Sequence, residues 1–442
     1  MPASPSTARA INDRLALRLL QREGPLTAGQ LKQLTGLSRP TVADLVERLT
    51  VSGLITVVGE SGEQRRGPNA RLYGIVADRA HLAALDVRTE GVAVTVSDLL
   101  GRELAGAWVP IGGDTGTGPA VEQAVALVER VAKEAGAVEV SPREFGRARG
   151  SLHTVGIGAP GLIDPVTGEL RDSTGLPEWH RRLVAALQER LPHARVIVEN
   201  ETNLAALAEQ REGAARGRDT FVLLWLGHGT GAAVVLDGAL RRGASGGTGE
   251  IGFLPVPGTR ALPSATDCAG GFHSLAGAAA VVGLAGEHGL PGERLEREPA
   301  AAELVRAAVI AEASRAGGIP PDVSPAGGIP PEDAPTGGSP AARFLDALAD
   351  RVALGVASVV AVLDPGCVVL GGEVGQAGGD ALAARVGQRI GRMSPLPTEV
   401  RASSLGGGAV LRGALLTARD RAQDELFAPS GPPTQRSRPV IG

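Results

Sequence analysis

One order of secondary-structure elements occurs twice in this sequence. Residues 81–104, HLAALDVRTEGVAVTVSDLLGREL, alternate apolar runs with turn residues, which predicts three consecutive strands. The elements predicted next are a helix over 121–134, a strand over 153–164, a helix over 180–190, a strand over 194–200 and a helix from Glu201. A similar order restarts at residues 221–240, FVLLWLGHGTGAAVVLDGAL. This repetition predicts an α/β body of two related lobes with a cleft between them.

The composition is that of an ordinary folded chain, with 43% hydrophobic and 21% charged residues. Aromatic residues make up only 2%, so the core must be built from Ala, Val and Leu. The sequence has no signal peptide and no apolar run near the ~18 residues of a membrane span. Its two cysteines, Cys268 and Cys367, are too few for a disulfide framework. These features predict a reduced, cytoplasmic protein without a membrane partner.

The charge is unevenly distributed along the chain. Residues 1–77 carry a net charge of +4, and the remainder carries −8. A small basic head on an acidic body is typical of a head that meets an anion such as nucleic acid, although a chance distribution would look the same. We therefore divide the chain into a head, residues 1–77, and a body, residues 78–425.

Three helices are predicted in the head, over residues 11–22, over residues 28–35 and from Ser38 onward. Thr27 and Ser38 are suited to cap the second and third helices. The apolar residues expected to face inward are Leu15, Leu19, Leu20, Leu31, Leu34, Val42, Leu45, Val46 and Leu49.

A helix, a glycine-containing turn and a second helix form the helix-turn-helix arrangement, whose second helix enters the major groove. The polar face of this second helix of the motif, the third helix of the head, carries Ser38, Arg39, Thr41, Asp44 and Arg48. Two β-rich runs, residues 54–58 and 71–75, flank a polar tip and predict a wing that carries Arg65, Arg66 and Arg71. We interpret Arg39, Thr41 and Asp44 as base readers, and the other arginines as contacts to the DNA backbone or minor groove. The alternative is a protein-binding three-helix module with a solvated arginine loop.

Five stretches of the body resemble the ROK family (repressors, open reading frames and sugar kinases): VGIGAPGLIDPVTGEL, VENETNLAALAE, LGHGTGAAVVLDGAL, GASGGTGEIGF and LDPGCVVLGGEVG. The resemblance spans nearly the whole chain, and a winged helix-turn-helix ahead of such a body resembles the sugar-responsive repressor branch. It implies an α/β, two-lobed actin/hexokinase-like (ribonuclease H-like) body, a sugar between the lobes, and dimers or tetramers on palindromic operators.

The motifs for ATP use are altered. Kinases of this family have Asp where this chain has Glu201, and a misplacement of about 1 Å can cost on the order of 10²-fold in rate. In the first phosphate loop, DVRT puts Arg88 and Thr89 in place of two glycines, which blocks close backbone approach. The glycine turns that remain, and that would also serve as plain tight turns, are Gly227–Gly231 and Gly371–Gly372. We expect no enzyme activity and no cofactor, with Glu201 as a vestigial catalytic group.

Of six polar sugar contacts that the resemblance implies, three remain: Asn200, Glu201 and Glu250. The other three positions hold Gly175, Phe253 and Leu275. Because polar groups that grip hydroxyls give a sugar site its selectivity, we expect weak binding, a different ligand or none. Helix capping and turn hydrogen bonding are alternative roles for Asn200 and Glu250.

The family's structural zinc is held by one His and three Cys, and the matching stretch here is TDCAGGFH, residues 266–273. Only Cys268 and His273 could remain as ligands, whereas a structural zinc needs four. We therefore expect no metal. Residues 314–341, which repeat GGIPP, and the tail over 426–442 carry few core-forming residues and are expected to be flexible.

Together these features favour a DNA-binding transcriptional regulator, interpreted as a repressor, that dimerises through its body and places two heads on one palindrome. A sugar or sugar derivative in the cleft would change the angle between the lobes and so the spacing of the heads. Two alternatives stay open: a sugar kinase with an attached DNA-binding domain, and a ligand-independent regulator with a vestigial cleft.

Overall fold

The computed structural model describes residues 5–61, 70–137, 150–171, 176–290, 300–316 and 338–428. The head within it is a winged helix. Its elements are α1 (Pro5–Glu23), β1 (Leu26–Thr27), α2 (Ala28–Thr35), α3 (Arg39–Val51), β2 (Ile55–Ser61) and β3 (Ala70–Ile75). The predicted hairpin is confirmed, and β1, which the sequence pattern did not indicate, adds a third antiparallel strand beside β3.

Capping side chains fix where the head helices begin. The hydroxyl of Thr27 accepts the N–H of Gln30 at 3.2 Å, and the Gln30 side chain accepts the N–H of Thr27 at 2.9 Å, which completes a capping box. The hydroxyl of Ser38 accepts the N–H of Thr41 at 3.3 Å. Gly36 turns the chain between α2 and α3 at φ +70°, where a side chain would be strained.

The apolar face of α3 is buried as predicted. The expectation was wrong for Leu15 and Leu34, which are 40% and 49% exposed. Helix α1 turns Ala16 and Leu17 into the head core, so Leu15 lies instead on the side that faces the body. In α2 the buried residue is Leu31, because this helix has only two turns and one narrow inward face.

The first lobe consists of β4 (His81–Arg88), β5 (Gly91–Asp98), β6 (Glu103–Pro110), α4 (Thr117–Glu134), β7 (Leu152–Ala159), α5 (Trp179–Arg190), β8 (Arg195–Asn200) and α6 (Glu201–Glu212). Its sheet has the order β6-β5-β4-β7-β8. Strands β4, β5 and β6 form an antiparallel meander, and β7 and β8 run parallel to β4. The three predicted strands and the helices after them are confirmed.

The second lobe repeats this topology. Its elements are β9 (Phe221–Leu226), β10 (Thr230–Leu236), β11 (Ala239–Arg241), α7 (His273–Ala276), α8 (Ala278–Glu287), α9 (Ala300–Ala316), α10 (Pro340–Leu363), β12 (Cys367–Gly371), α11 (Gly372–Met393) and β13 (Glu399–Ala402). The sheet order β11-β10-β9-β12-β13 again joins a meander to two parallel strands. The predicted two-lobed α/β body is therefore confirmed.

Helix α12 (Ala409–Leu426) returns the chain to the first lobe, where it packs on β4, β7 and α6. The contact is close because glycines line it: a methyl group on Gly413 would overlap the main chain of Leu204, and one on Gly156 would overlap that of Ala414. A single buried apolar cluster continues from Leu17 of the head to Leu415 of α12. Small residues thus supply the packing that aromatic residues supply in other cores.

The predicted insertion joins two helices of the second lobe, but its bounds of 314–341 were too wide. Helix α9 continues to Ala316 and α10 begins at Pro340, because both helices pack within the lobe. Residues 317–337, and those after 428, lie outside the described residues. The expectation of a flexible tail from residue 426 was wrong at its start. Leu426 ends α12 and Phe427 is buried, because both pack against the apolar cluster of the head and first lobe. No described helix is long and apolar enough to span a membrane.

Candidate functional site

The outer surface of α3 is the candidate interface on the head. Arg39 is exposed at the first turn, and Thr41 is half-buried with its hydroxyl 2.8 Å from that of Ser38. Capping by Ser38 therefore fixes the backbone from which Arg39 projects. The N-terminal turn of a helix in this arrangement is the part that reaches base edges.

Two other charged residues of this surface are held by neighbours. Arg48 donates to Asp13 of α1 at 2.6 Å and also pairs with Asp44. The hydrogen bond to Asp13 raises the pKa of Arg48, and the hydrogen bond to Asp44 raises it by a smaller amount. Arg48 thus ties α3 to α1. On the wing, Arg71 is exposed, while Arg65 and Arg66 lie outside the described residues.

Asn200 and Glu201 lie where β8 passes into α6, at the floor of the cleft between the lobes. The Asn200 side chain accepts the N–H groups of Thr202 and Asn203 at 2.9 and 3.3 Å, and donates to the carbonyl of Gly161 at 2.9 Å. The side-chain oxygen of Asn200 therefore caps α6, and its nitrogen binds the loop that contains Gly161. Glu201 follows as the first residue of the helix, near Asp86 and Arg88 of the first lobe and Glu373 of the second.

Arg88 spans the cleft from the end of β4. Its guanidinium donates twice to one oxygen of Asp86, at 2.9 and 2.8 Å, and once to the carbonyl of Gly407 at 3.2 Å. A third nitrogen lies 3.5 Å from Glu373, the second residue of α11. This side chain therefore connects a strand of the first lobe to a helix of the second.

Glu201 lies in an acidic environment. Burial first, then the charges of Asp86 and Glu373, raise the pKa of Glu201 to about 8, and Arg88 offsets only part of this. Burial likewise raises the pKa of Asp86 and of Glu373. At neutral pH the Glu201 carboxyl is therefore mostly protonated and is able to donate a hydrogen bond.

The Glu373 side chain lies against Gly227, in one of the two glycine turns that the sequence retains. A side chain at Gly227 would overlap the Glu373 carboxylate, so the glycine leaves room for that group. Gly372, just before it, has φ +74° and approaches the main chain of Leu226 too closely for a side chain. These glycines are required by packing between β9 and α11.

Several buried polar atoms of the cleft have no hydrogen-bond partner among the described residues. They are one oxygen each of Asp86, Glu373 and Thr230, and both ring nitrogens of His180. His180 lies beside the backbone of Arg88, and burial lowers its pKa to about 4. Because buried polar atoms are rarely left unpaired, water or a polar ligand is expected to satisfy this group.

Sequence reasoning missed Glu373 and His180. Glu373 follows the Gly371–Gly372 turn directly, and His180 follows Trp179, whose ring it meets edge-on at 4.2 Å. An acid after a glycine pair at a helix start was the available signal for Glu373. His180 carried none, because its position near Arg88 depends on how α5 packs in the first lobe, against α4 and β8.

The remaining predicted residues belong to the second lobe or lie outside the described residues. Glu250 precedes a short 3₁₀ helix, Ile251–Phe253, and is exposed, whereas Leu275 is buried in α7. Cys268 and His273 are half-buried nearby, and in the described part of the chain no three His, Cys, Asp or Glu residues lie close enough together to hold a metal ion. Gly175 lies outside the described residues.

Two family profiles match the chain. The ROK family matches residues 134–308 and 329–421, and the MarR family matches residues 11–67, which cover most of the winged-helix head. The first match includes the second lobe and the Glu201 region of the first. The boundary between head and body at residue 77 falls within residues 68–133, which neither profile matches.

The chain is also similar in sequence to individual transcriptional regulators. The chain is 26% identical over 250 residues to the DNA-binding transcriptional dual regulator NagC of Escherichia coli K12, covering 56% of this chain and 58% of NagC. It is 24% identical to the xylose repressor of Bacillus subtilis 168, over 58% of this chain and 62% of that protein. Each alignment thus spans less than two thirds of the relative's length.

A solved structure covers more. The crystal structure of a ROK family transcriptional regulator, described as a homolog of the E. coli MLC protein, superposes with a TM-score of 0.68 over 95% of this chain and 98% of that one. The identity is 19%, so this likeness shows the fold, head and body together.

Proposed function

The chain belongs to the ROK family, and on that premise we propose that it is a DNA-binding transcriptional regulator, a repressor whose cleft binds a neutral sugar or sugar derivative. The observation that carries the first half is the head: α2, the Gly36 turn and α3 present an exposed, capped helix start next to a wing. Such a head places a helix in the major groove. Two copies joined through their bodies would match a palindromic operator, as a dimer or as half of a tetramer.

Selection from random duplexes tests DNA binding and finds the operator sequence at the same time. The full chain should enrich one palindromic sequence at fixed salt. Its affinity for that duplex, measured by fluorescence anisotropy, should exceed its affinity for an unrelated duplex by orders of magnitude. Arg39→Ala should weaken binding about tenfold, because a base contact is worth about 1–3 kcal/mol. Arg182→Ala, on the body, should change nothing. Failure to enrich any sequence would contradict the proposal.

The cleft supports ligand binding better than phosphoryl transfer. Arg88 fills the first phosphate turn and is held there by Asp86 and Glu373, and the Glu373 carboxylate lies against Gly227. Carboxylates at both turns oppose the approach of a triphosphate. By contrast, unpaired oxygen and nitrogen atoms beside a protonated Glu201 suit the hydroxyl groups of a neutral polyol.

The effector half has its own test. Neutral hexoses, pentoses and N-acetylhexosamines are titrated into the protein in a calorimeter. One of them should bind and should also weaken operator binding. Glu201→Gln should preserve most of the affinity because it keeps a donor, whereas Asp86→Ala should abolish it. If no sugar binds, the ligand-independent alternative takes its place. Sugar-dependent ADP release from ATP that is lost in Glu201→Gln would instead restore the kinase alternative.

A further inference from the structure

A second recess lies between the head and the body. Its volume is about 810 Å³, within the range of small-molecule sites. We name it the head–body crevice, and its walls include Leu15, Arg18, Val58, Leu100, Arg211 and Arg419. It opens where α1 and the wing sheet approach α6 and α12, away from the cleft between the lobes.

The apolar part of the crevice accounts for hydrophobic residues that the core leaves out. Leu15, Val58 and Leu100 are 40%, 50% and 37% exposed, and all three line this recess. Two of them belong to the head and one to the β5–β6 turn of the body. Exposed apolar side chains that converge on one recess are typical of a binding site.

The charged part of the crevice holds more arginine than carboxylate. The residues that line it include four arginines, Arg18, Arg22, Arg211 and Arg419, and one carboxylate, Asp420. Asp420 is engaged by Arg211 at 2.6 Å, which leaves it 3.9 Å from the Arg419 guanidinium. Arg18 is in a similar position, 4.0 Å from Asp424, which already pairs with Arg14.

Arg419 is the least satisfied of these groups. Its Nε is buried and has no hydrogen-bond acceptor among the described residues, and its side chain is only 17% exposed. Burial, with the charges of Arg211 and Arg412, lowers the pKa of Arg419 despite Asp420. Arg412 itself donates two hydrogen bonds to Glu212, at 2.6 and 2.8 Å. A largely buried guanidinium whose Nε has no acceptor among the described residues is suited to a planar anion.

We propose that the head–body crevice is a second ligand site, which binds a small organic anion, a phosphate or carboxylate on a part-apolar body. Arg419 holds the anionic group, Arg18 and Arg211 flank it, and Leu15, Val58 and Leu100 cover the apolar part. Because Arg18 belongs to the head and Arg419 to α12, an occupant bridges the two. On the proposed function, it would therefore change operator affinity.

Calorimetry of the full chain with phenyl phosphate and with phenylacetate tests the site and separates the two anionic groups. One of them should bind with one-to-one stoichiometry, and inorganic phosphate and benzyl alcohol should each bind at least about tenfold more weakly. Arg419→Gln should weaken binding about tenfold or more, as loss of a charge-assisted hydrogen bond does. Arg18→Gln, at an exposed position, gives a second variant should Arg419→Gln unfold.

Arg421→Gln is the matched control, since Arg421 lies on the same helix but lines a different recess with Arg195. It should bind the probe as the parent chain does. Absence of saturable binding up to about 10 mM of either probe, or equal affinity in Arg419→Gln, would overturn the site. This experiment contains no DNA, so its failure is distinct from failure of the regulator proposal.

Discussion

Arg88 faces three carboxyl groups in the cleft, those of Asp86, Glu201 and Glu373, and its contacts decide how that charge is tolerated. It pairs with two of them, and the third stays protonated at neutral pH. A guanidinium is well suited to this position because it remains charged when partly buried. The cleft is therefore an electrostatic unit in which each residue sets the state of the others.

Removal of Arg88 should leave two buried carboxylates without their partner. Arg88→Ala should lower the free energy of unfolding by about 2–4 kcal/mol near pH 7, and less near pH 5, where those carboxyls are protonated more easily. Urea unfolding at the two pH values measures this. Arg102→Ala, which removes a 76% exposed arginine from Asp98, should cost about 0.5 kcal/mol or less. Equal losses in the two variants would contradict the assignment.

The pKa of Glu201 predicts a pH dependence with a definite sign. Its value is raised from 4.5 to about 8, so between these limits the folded chain retains a proton that the unfolded chain has lost. Stability from this group should therefore fall as pH rises from 5 to 8, by at most about 1.4 kcal/mol per unit. In Glu201→Gln, the free energy of unfolding should fall less steeply with pH, by that amount per unit. Parallel stability–pH curves for the two proteins would refute the raised pKa.

At the scale of elements, the start of α3 combines a structural and a functional demand. Ser38 caps the helix, and Arg39 projects from the turn so formed. The ion pairs of Arg48 with Asp13 and Asp44 hold the same helix against α1. The candidate DNA surface is thus supported from within the head.

Loss of the cap should loosen α3 locally. Ser38→Ala should reduce hydrogen-exchange protection of the first-turn amides about fivefold, since an N-cap is worth about 1 kcal/mol. Thr50→Ala is the control on the same helix. The Thr50 hydroxyl only donates back to the Val46 carbonyl at 2.7 Å, so protection there should stay the same or rise. Unchanged protection in Ser38→Ala would show that the cap does not hold the turn.

Elements with a strong periodic or capping signal were predictable, and those fixed by tertiary contacts were not. The face of α3, the caps Thr27 and Ser38, and the succession of strands and helices along each lobe follow from local pattern. Strand β1 has two residues, too few to show a period. Leu15 fits a helical stripe, yet the body gives α1 a second side to face, which no local pattern contains.

The candidate site divides in the same way. Glu201 and Arg88 were visible in short motifs, whereas the sequence could not show that Arg88 reaches Glu373, since the two residues belong to different lobes. The role of Asn200 depends on its bond to Gly161, a loop distant in sequence. Whether Glu250 contacts a ligand stays a prediction, as do the base-reading roles of Arg39, Thr41 and Asp44.

At the scale of the whole molecule, the α6–α12 contact holds the folded chain together. Gly413→Ala should lower the melting temperature, because the new methyl group overlaps the main chain of Leu204 and overpacking costs about 1–3 kcal/mol. Gly391→Ala, also inside a helix but with open space around it, should raise stability by about 0.5–1 kcal/mol. Opposite shifts in thermal unfolding are expected. A neutral Gly413→Ala would mean that the two helices separate easily.

Helix α12 also has a consequence for the order in which the protein is made. It covers the sheet of the first lobe and pairs with α1 through Asp424 and Arg14, yet it is synthesised after the second lobe. While the ribosome is still translating residues 81–408, the first-lobe sheet lacks this cover and the head lacks its contact with α12. Until α12 has been made, the apolar surface of β4 and β7 that it covers therefore stays exposed. The head and body can take up their mutual arrangement only when residues 409–426 have emerged.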